Sequence, residues 1–416
     1  MFEGIKFGDG FLWGTATSAT QVEGHVTNEW TDYVAADGGH CRVACNHYHR
    51  YPEDIGWMTR LGVNAYRMGM EWSRLQSAPF APLHQKELER YVHLLDCLKA
   101  ADITPMVVLH HFSNPRWVTA AGGWLNPATV PAFADYAGRL ARALQGRVRL
   151  WNTFNEPDTY ASLTYLLGGF PPFHKWRLRS YGRVIRHMAE AHVRASRAIR
   201  EAANGGPAPE IGIAKNWTYF GAFQAYAVWD HFLAAISHHT FNRLVLREFL
   251  GRGRREASTF LGLNYYGRAR LNHFEALVPT NGVPQARLKQ LGVVCDDMFE
   301  RHPAGFGALL KQLQRLGLPI YITEHGTAST DQDFRIRDLT EHLCELRGAM
   351  DAGVDVRGFF YWSLLDNFEW QFGYSKKFGL VSVDFNAERL PRRMTRMGEF
   401  YRGICQTARG GVRDVC

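Results

Sequence analysis

Two glutamates stand out for what their neighbours allow them to do: Glu156 in Thr153-Phe154-Asn155-Glu156-Pro157 and Glu324 in Ile322-Thr323-Glu324-His325-Gly326. A pair of carboxyl groups flanking one bond is the minimum equipment for cleaving a glycosidic linkage. One protonates the leaving oxygen; the other attacks the anomeric carbon or activates water. A gap of ~5–5.5 Å gives retention through a covalent intermediate, and a wider one gives inversion; sequence alone does not supply that distance. The surroundings differ in useful ways. Asn155 sits beside Glu156, where its amide can reach the sugar hydroxyl next to the anomeric carbon. Glu324 follows the apolar run Ile320-Tyr321-Ile322, so it needs a cation to stay ionised, and a buried Arg67 is the candidate. Pro157 predicts that the chain leaves Glu156 extended rather than helical.

Residues so far apart need elements that bring them together. Short β-branched and aromatic runs recur along the chain, each followed by a polar motif and then a longer helical pattern. Eight such runs are predicted as strands: 11–17, 64–71, 104–112, 148–155, 211–216, 259–266, 319–323 and 358–364. Amphipathic segments at 85–101, 130–144, 183–201, 305–316, 339–352 and 393–405 are predicted as helices. This alternation predicts an α/β fold with a parallel sheet, an eight-stranded (β/α)8 TIM barrel, with residues 1–416 as one domain. The polar motifs fall where the strands end: Gln21-Val22-Glu23-Gly24, Glu71-Trp72, His110-His111, Asn155-Glu156, Asn264-Tyr265-Tyr266, Glu324-His325 and Trp362 through Glu369-Trp370. In a barrel, the C-terminal ends of distant strands converge on one mouth.

Composition narrows the alternatives. The chain has 46% hydrophobic and 21% charged residues, ordinary for a globular protein with a large core. Its 12 Trp, 17 Tyr and 26 Phe exceed what is usual, and flat rings suit the C–H faces of pyranoses. A formal charge of +8 is spread along the sequence rather than gathered into basic runs, which argues against nucleic acid as a partner. No apolar run approaches the ~18 residues of a membrane span. Seven scattered cysteines and an N-terminus without a secretory pattern predict a cytoplasmic protein. The stretch His40-Cys41 to Cys45-Asn46-His47-Tyr48-His49 has metal-ligand residue types but no second pair at zinc-like spacing, so no metal and no cofactor are expected.

The motifs around both glutamates resemble glycoside hydrolase family 1, the β-glucosidases and their relatives. The resemblance runs over nearly the whole chain: Phe11-Leu12-Trp13-Gly14-Thr15-Ala16-Thr17-Ser18, His47-Tyr48-His49-Arg50-Tyr51, Tyr66-Arg67-Met68, Tyr361-Trp362-Ser363 through Glu369-Trp370, and Phe378-Gly379-Leu380. It implies Glu156 as acid/base, Glu324 as nucleophile, and Arg67 and Tyr266 as the nucleophile's partners. Gln21, His111, Asn155, Glu369 and Trp370 are implied as hydroxyl-binding residues, with Asn264 among the substrate-binding set. Trp362 is the implied platform under the sugar, and Phe378 lies near its hydroxymethyl arm. The expected partners are small β-glycosides or oligosaccharides, with oligomeric state left open. Phospho-glycosidases of the family carry Ser where Glu369 stands, and an anionic Glu repels phosphate, so an unphosphorylated sugar is expected. The same residues suit a β-galactosidase, a β-fucosidase, a transglycosylase or a sugar-binding relative that has lost activity. Three departures stand out: His325 replaces the family's Asn after the nucleophile and is expected to perturb Glu324 or fill space, Phe112 replaces a Trp, and the stretches between Pro157 and Asn264 and after Tyr266 are short. The last predicts an open aglycone side and low order over 268–290.

Overall fold

The computed structural model describes residues 7–410 except 9, 252 and 275–281. Eight parallel strands close into a barrel: β1 (Leu12–Ala16), β2 (Ala65–Gly69), β3 (Thr104–Val108), β4 (Leu150–Asn155), β5 (Glu210–Asn216), β6 (Phe260–Asn264), β7 (Ile320–His325) and β8 (Val356–Trp362). Each pairs with its sequence neighbours, and β8 closes the ring on β1 in the register Leu12–Gly358 to Ala16–Trp362. All eight predicted strands are present, each within a few residues of the expected ends. Strands buried on both faces carry apolar side chains both toward the axis and toward the helices, hence near-continuous runs such as Met106, Val107 and Val108.

The outer layer contains α1 (His47–Leu61), α2 (Gln85–Ala100), α3 (Thr129–Ala143), α4 (Pro157–Tyr165), α5 (Leu178–Ala202), α6 (Val228–Ser237), α7 (Pro303–Leu313), α8 (Gln332–Asp351) and α9 (Arg396–Gly410). In α2, Tyr91, Leu94, Leu95 and Leu98 are buried at helical spacing, and the His84 ring accepts a hydrogen bond from the Glu87 amide at the N-cap. Sequence periodicity missed α1, α4 and α6. Helix α1 carries Pro52 inside and buries only five side chains, which blurs its stripe. It absorbs His47, which pairs with Asp54 at 2.8 Å. Cys41 and Cys45 are buried thiols that donate to the backbone carbonyls of Trp30 and Asp366. The buried members of the stretch, Cys41, Cys45 and His47, are therefore core packing, while His40 and His49 are exposed.

The expected low order over 268–290 does not hold where the chain is described. Arg268–Leu271 is a strand paired in parallel with Tyr219–Ala222, Gln285–Gln290 is a helix, and residues 275–281 lie outside the described residues. A Glu300 carboxylate gripped by Arg268 and Arg270 staples that strand down. Nor are all the cysteines thiols: Cys41, Cys45, Cys97, Cys295 and Cys405 are, but Cys344 is disulfide-bonded. No described helix is long and apolar enough to cross a membrane.

Candidate active site

Strand ends deliver the site. Glu324 and His325 are adjacent on β7, and strand alternation sends them to opposite faces. Glu324 faces the barrel mouth. Its Oε1 accepts from Arg67 Nη1 at 2.6 Å, and its Oε2 accepts from the Tyr266 hydroxyl at 2.6 Å. Arg67 is fully buried on β2, and its other terminal nitrogen donates to Asn155 Oδ1 at 2.6 Å. One guanidinium thus spans two strands that carry the two glutamates. Gly326 lets this strand end lie against β8: a Cβ there would stand 1.9 Å from the Trp362 carbonyl oxygen.

Glu156 caps α4, and its backbone is left-handed, at φ 42° and ψ 61°. The expectation of an extended exit fails here. Pro157 bars the right-handed helical region for Glu156, but it also opens a helix comfortably as the first residue, and the tight strand-to-helix turn takes the left-handed alternative. Such a conformation costs a residue with a Cβ about 1 kcal/mol or more and is held by its surroundings. Glu156 Oε1 accepts from Asn264 Nδ2 at 2.7 Å, and Oε2 from Asn216 Nδ2 at 3.2 Å. Asn264 Nδ2 also donates to Asn155 Oδ1 at 3.0 Å, so one amide ties Glu156 to the asparagine that Arg67 holds. Thr323 Oγ1 donates to Asn264 Oδ1 and fixes that amide's orientation.

Electrostatics separate the pair. Burial, then the nearby Glu324 charge, pushes Glu156 up to about 8. Burial also raises Glu324, but Arg67 and Tyr266 oppose it. Glu156 has only neutral amides for partners. Glu369 is pushed up to about 8, first by burial and next by Glu324.

The pocket holds about 290 Å³, lined in part by His111, Glu156, Tyr266, Glu324, Trp362, Glu369, Trp370 and Phe378. Arg67, Asn155, Asn264 and Gln21 stand behind this lining. Gln21 Nε2 donates to Glu369 Oε2 at 3.2 Å, and its Oε1 is buried without a partner. His111 Nε2 accepts from Asn155 Nδ2 at 3.1 Å, which puts the ring proton on Nδ1, buried and equally unpartnered. Its ring stacks on Trp362 at 5.7 Å and 25°. Burial holds His111 well below the ordinary imidazole range, so it is neutral. An unpartnered acceptor and donor, both buried at a pocket wall, are groups awaiting hydroxyls.

His325 does not touch Glu324. Its Nδ1 donates to the Tyr265 carbonyl at 2.8 Å, and its ring stacks on Phe306 of α7 at 5.9 Å. With Asp338 and His342 of α8 it forms a buried group whose potential ligand atoms lie within 4.8 Å of one another. The Asp338 carboxylate already accepts from Arg301 at 2.8 Å and Thr327 at 2.7 Å, which makes the group a packed polar network behind the strand. Sequence reading missed Asn216, the second amide on Glu156. It ends β5, so the strand-end rule that found the other residues also points to it.

A closed parallel barrel with two buried carboxyl groups of unequal acidity at its C-terminal mouth defines the glycosidase class of barrel enzymes. The comparisons narrow this to a family: the model of "Glycosyl hydrolase family 1" matches residues 4–224 and 247–409. This chain belongs to that family. It is 32% identical to β-glucosidase A of Thermotoga maritima over 455 aligned positions, covering 98% of this chain and 99% of that protein. A bifunctional β-D-glucosidase/β-D-fucosidase of Bifidobacterium breve is 31% identical over 92% of the chain and 95% of its own length. Among solved structures, the T. maritima β-glucosidase in complex with noeuromycin superposes with a TM-score of 0.85 at 30% identity, covering 98% of this chain and all of that one. The alignment to β-glucosidase A is longer than this 416-residue chain, so some positions are filled only by the relative, consistent with short loops.

Proposed function

We propose that the chain is a retaining β-glucosidase that releases terminal β-D-glucosyl residues by double displacement. The observation that carries this reading is the unequal equipment of the two carboxyls. Arg67 and Tyr266 each donate to one oxygen of Glu324, while Glu156 holds its proton up to about 8. Glu324 is then the nucleophile and attacks the anomeric carbon. Glu156 gives its proton to the departing oxygen, then takes one from water as the glycosyl-enzyme is hydrolysed. Arg67, bound to Glu324 and to Asn155 beside Glu156, and Asn264, bound to Asn155 and Glu156, support the closer carboxyl spacing of ~5–5.5 Å that retention requires.

Around the sugar, Glu369 and Gln21 take two hydroxyls, His111, Asn155 and Trp370 take others, Trp362 is the platform and Phe378 closes over the hydroxymethyl arm. The substrates are small β-glycosides or oligosaccharides. A β-fucosidase activity on the same site is the second reading, favoured by the bifunctional relative. We also take residues 1–416 as one barrel domain, supported by the closure of β1 on β8. A cytoplasmic location belongs to the same proposal; five free thiols support it and the cystine at Cys344 does not.

A fluorinated β-glucoside inactivator followed by peptide mapping tests the mechanism. The expected result is stoichiometric inactivation with the label on Glu324. A label on another residue, or hydrolysis with inverted anomeric configuration by NMR, overturns it.

A further inference from the structure

Neither step of the hydrolysis uses Lys215, yet its side chain is wholly buried, one residue before Asn216 on β5. Its Nζ donates to Asp158 Oδ2 at 2.7 Å, to the Asn216 carbonyl and to Asn242 Oδ1 at 3.5 Å. The rings of Phe241 and Trp217 cover the ammonium, with centres at 4.3 Å and 5.2 Å. Burial draws Lys215 and Asp158 toward neutrality, and each opposes that in the other.

The pair sits where it bears on Glu156, because three consecutive residues of β5 reach the turn that carries that carboxyl. The Ala214 carbonyl accepts from the Glu156 amide at 2.7 Å, and Lys215 grips Asp158. Asn216 Nδ2 donates to Glu156 Oε2 at 3.2 Å and to Thr159 Oγ1 at 3.0 Å. Glu156 needs such holding, since its left-handed backbone is unfavourable for a residue with a Cβ. Stability alone gives no reason for a charged pair here: apolar residues of similar volume usually serve a core as well or better. Part of the cage is also peculiar to the chain. Phe241 and Asn242 belong to residues 225–246, which the family model leaves unmatched between its two blocks. Asn242 Nδ2 anchors that segment to the Thr218 carbonyl at 2.9 Å, just past the end of β5.

We propose that Lys215 is a positioning residue: with Asp158 it ties the first turn of α4 to β5 and so fixes the Glu156 carboxyl where the leaving oxygen departs. This rests on Glu156 being the acid/base and adds what holds it in place. Without the tie, the Asp158 end of the turn shifts, and a carboxyl displaced by about 1 Å is a poor proton donor. The nucleophile is untouched, because Arg67 and Tyr266 hold Glu324 from β2 and from the loop after β6.

Lys215→Met combined with Asp158→Leu removes both charges, so neither is left buried alone. In this variant and the parent, kcat/KM is measured on 2,4-dinitrophenyl β-glucoside and on methyl β-glucoside; only the second needs a proton on its leaving oxygen. The dinitrophenyl value is expected to stay within about twofold of the parent, and the methyl value to fall about tenfold or more. Azide is expected to speed dinitrophenyl turnover about threefold or more in the variant and not in the parent, since a displaced base leaves the glycosyl-enzyme waiting for water. A misfolded fraction would instead lower both substrates alike and give azide nothing to relieve. Lys215→Gln, whose amide can hydrogen-bond a protonated Asp158, provides the same readout if the paired variant fails a melting check. An equal change on the two substrates, or none on either, overturns the proposal. Glu156→Ala run alongside separates the two readings. If it does not discriminate between the substrates, the acid/base assignment falls; if it does and the Lys215 variants do not, only the positioning role falls.

Discussion

At the scale of single residues, the site divides labour between two carboxyls by what donates to them. Glu156, given only amides, keeps a proton; Glu324, given a guanidinium and a phenol, opposes burial with charge. Replacing Glu156 by Ala therefore removes the proton donor of the first step and the base of the second. Glycosides with good leaving groups are expected to keep their first-step rate, while alkyl glycosides lose on the order of 10²–10⁴-fold. Steady-state and burst kinetics on both classes check this, and an equal loss on both refutes it. The pH profile follows from the same contrast. In the free enzyme, kcat/KM is expected to fall as pH rises through about 8, where Glu156 loses its proton. It is expected to fall again on acidification, as Glu324 protonates at a pH above the ordinary carboxyl value. Glu156→Gln should abolish the alkaline limb in whatever activity remains.

At the scale of elements, β7 teaches how alternation sorts neighbours. Adjacent on one strand, Glu324 serves the mouth and His325 the layer of α7 and α8. The sequence placed an imidazole next to Glu324 but did not say which face it took, because β7 is apolar on both faces and shows no period. His325→Asn is expected to leave the acid limb of kcat/KM where it is. It should lower thermal stability, since the Phe306 stacking and the polar group with Asp338 and His342 lose a ring; a moved acid limb would return His325 to the active site. Strand ends were legible because each barrel strand is short, apolar and followed at once by polar residues with evident chemistry. Helices were less so. Pro157 reads as a break and is a beginning, and α1 hides its stripe behind Pro52 and polar positions. Asn216 went unread since its neighbours Lys215, Trp217 and Thr218 bring no carboxylate or imidazole to mark the strand end as a site.

At the scale of the whole molecule, buried carboxyls make stability depend on pH. Burial holds Glu29, Glu156 and Glu369 up to about 8 and Asp296 up to about 7, each raised above its ordinary value. Raised carboxyl groups stabilise the fold fully below their unfolded values and lose that contribution as pH climbs through the folded ones. Desolvated histidines act the other way: buried His110 and half-buried His302 are held down to about 4, and His192 and His325 to about 3. Unfolding lets them gain protons below ~6.5, so their contribution rises up to that pH and is then constant. Only the carboxyl contribution changes above it. The melting temperature is therefore expected to fall by about 5 °C or more between roughly pH 6.5 and 8, and Glu369→Gln should flatten the slope. Calorimetric scans across that window decide; a rising melting temperature contradicts the assignment.

The seam between β1 and β8 bears on how the molecule is made. Ala16 and its register partner Trp362 are 346 positions apart (362 − 16), so one is synthesised long before the other. At ordinary translation speeds of about 5–20 residues per second, β1 spends tens of seconds with one edge unpaired. During that interval an apolar strand is open to pairing with another nascent chain on the same message. Synthesis is thus the most aggregation-prone moment in the life of this barrel. A slow stretch of codons ahead of β8 prolongs it, and a chaperone that covers β1 shortens the hazard without taking any part in the finished fold.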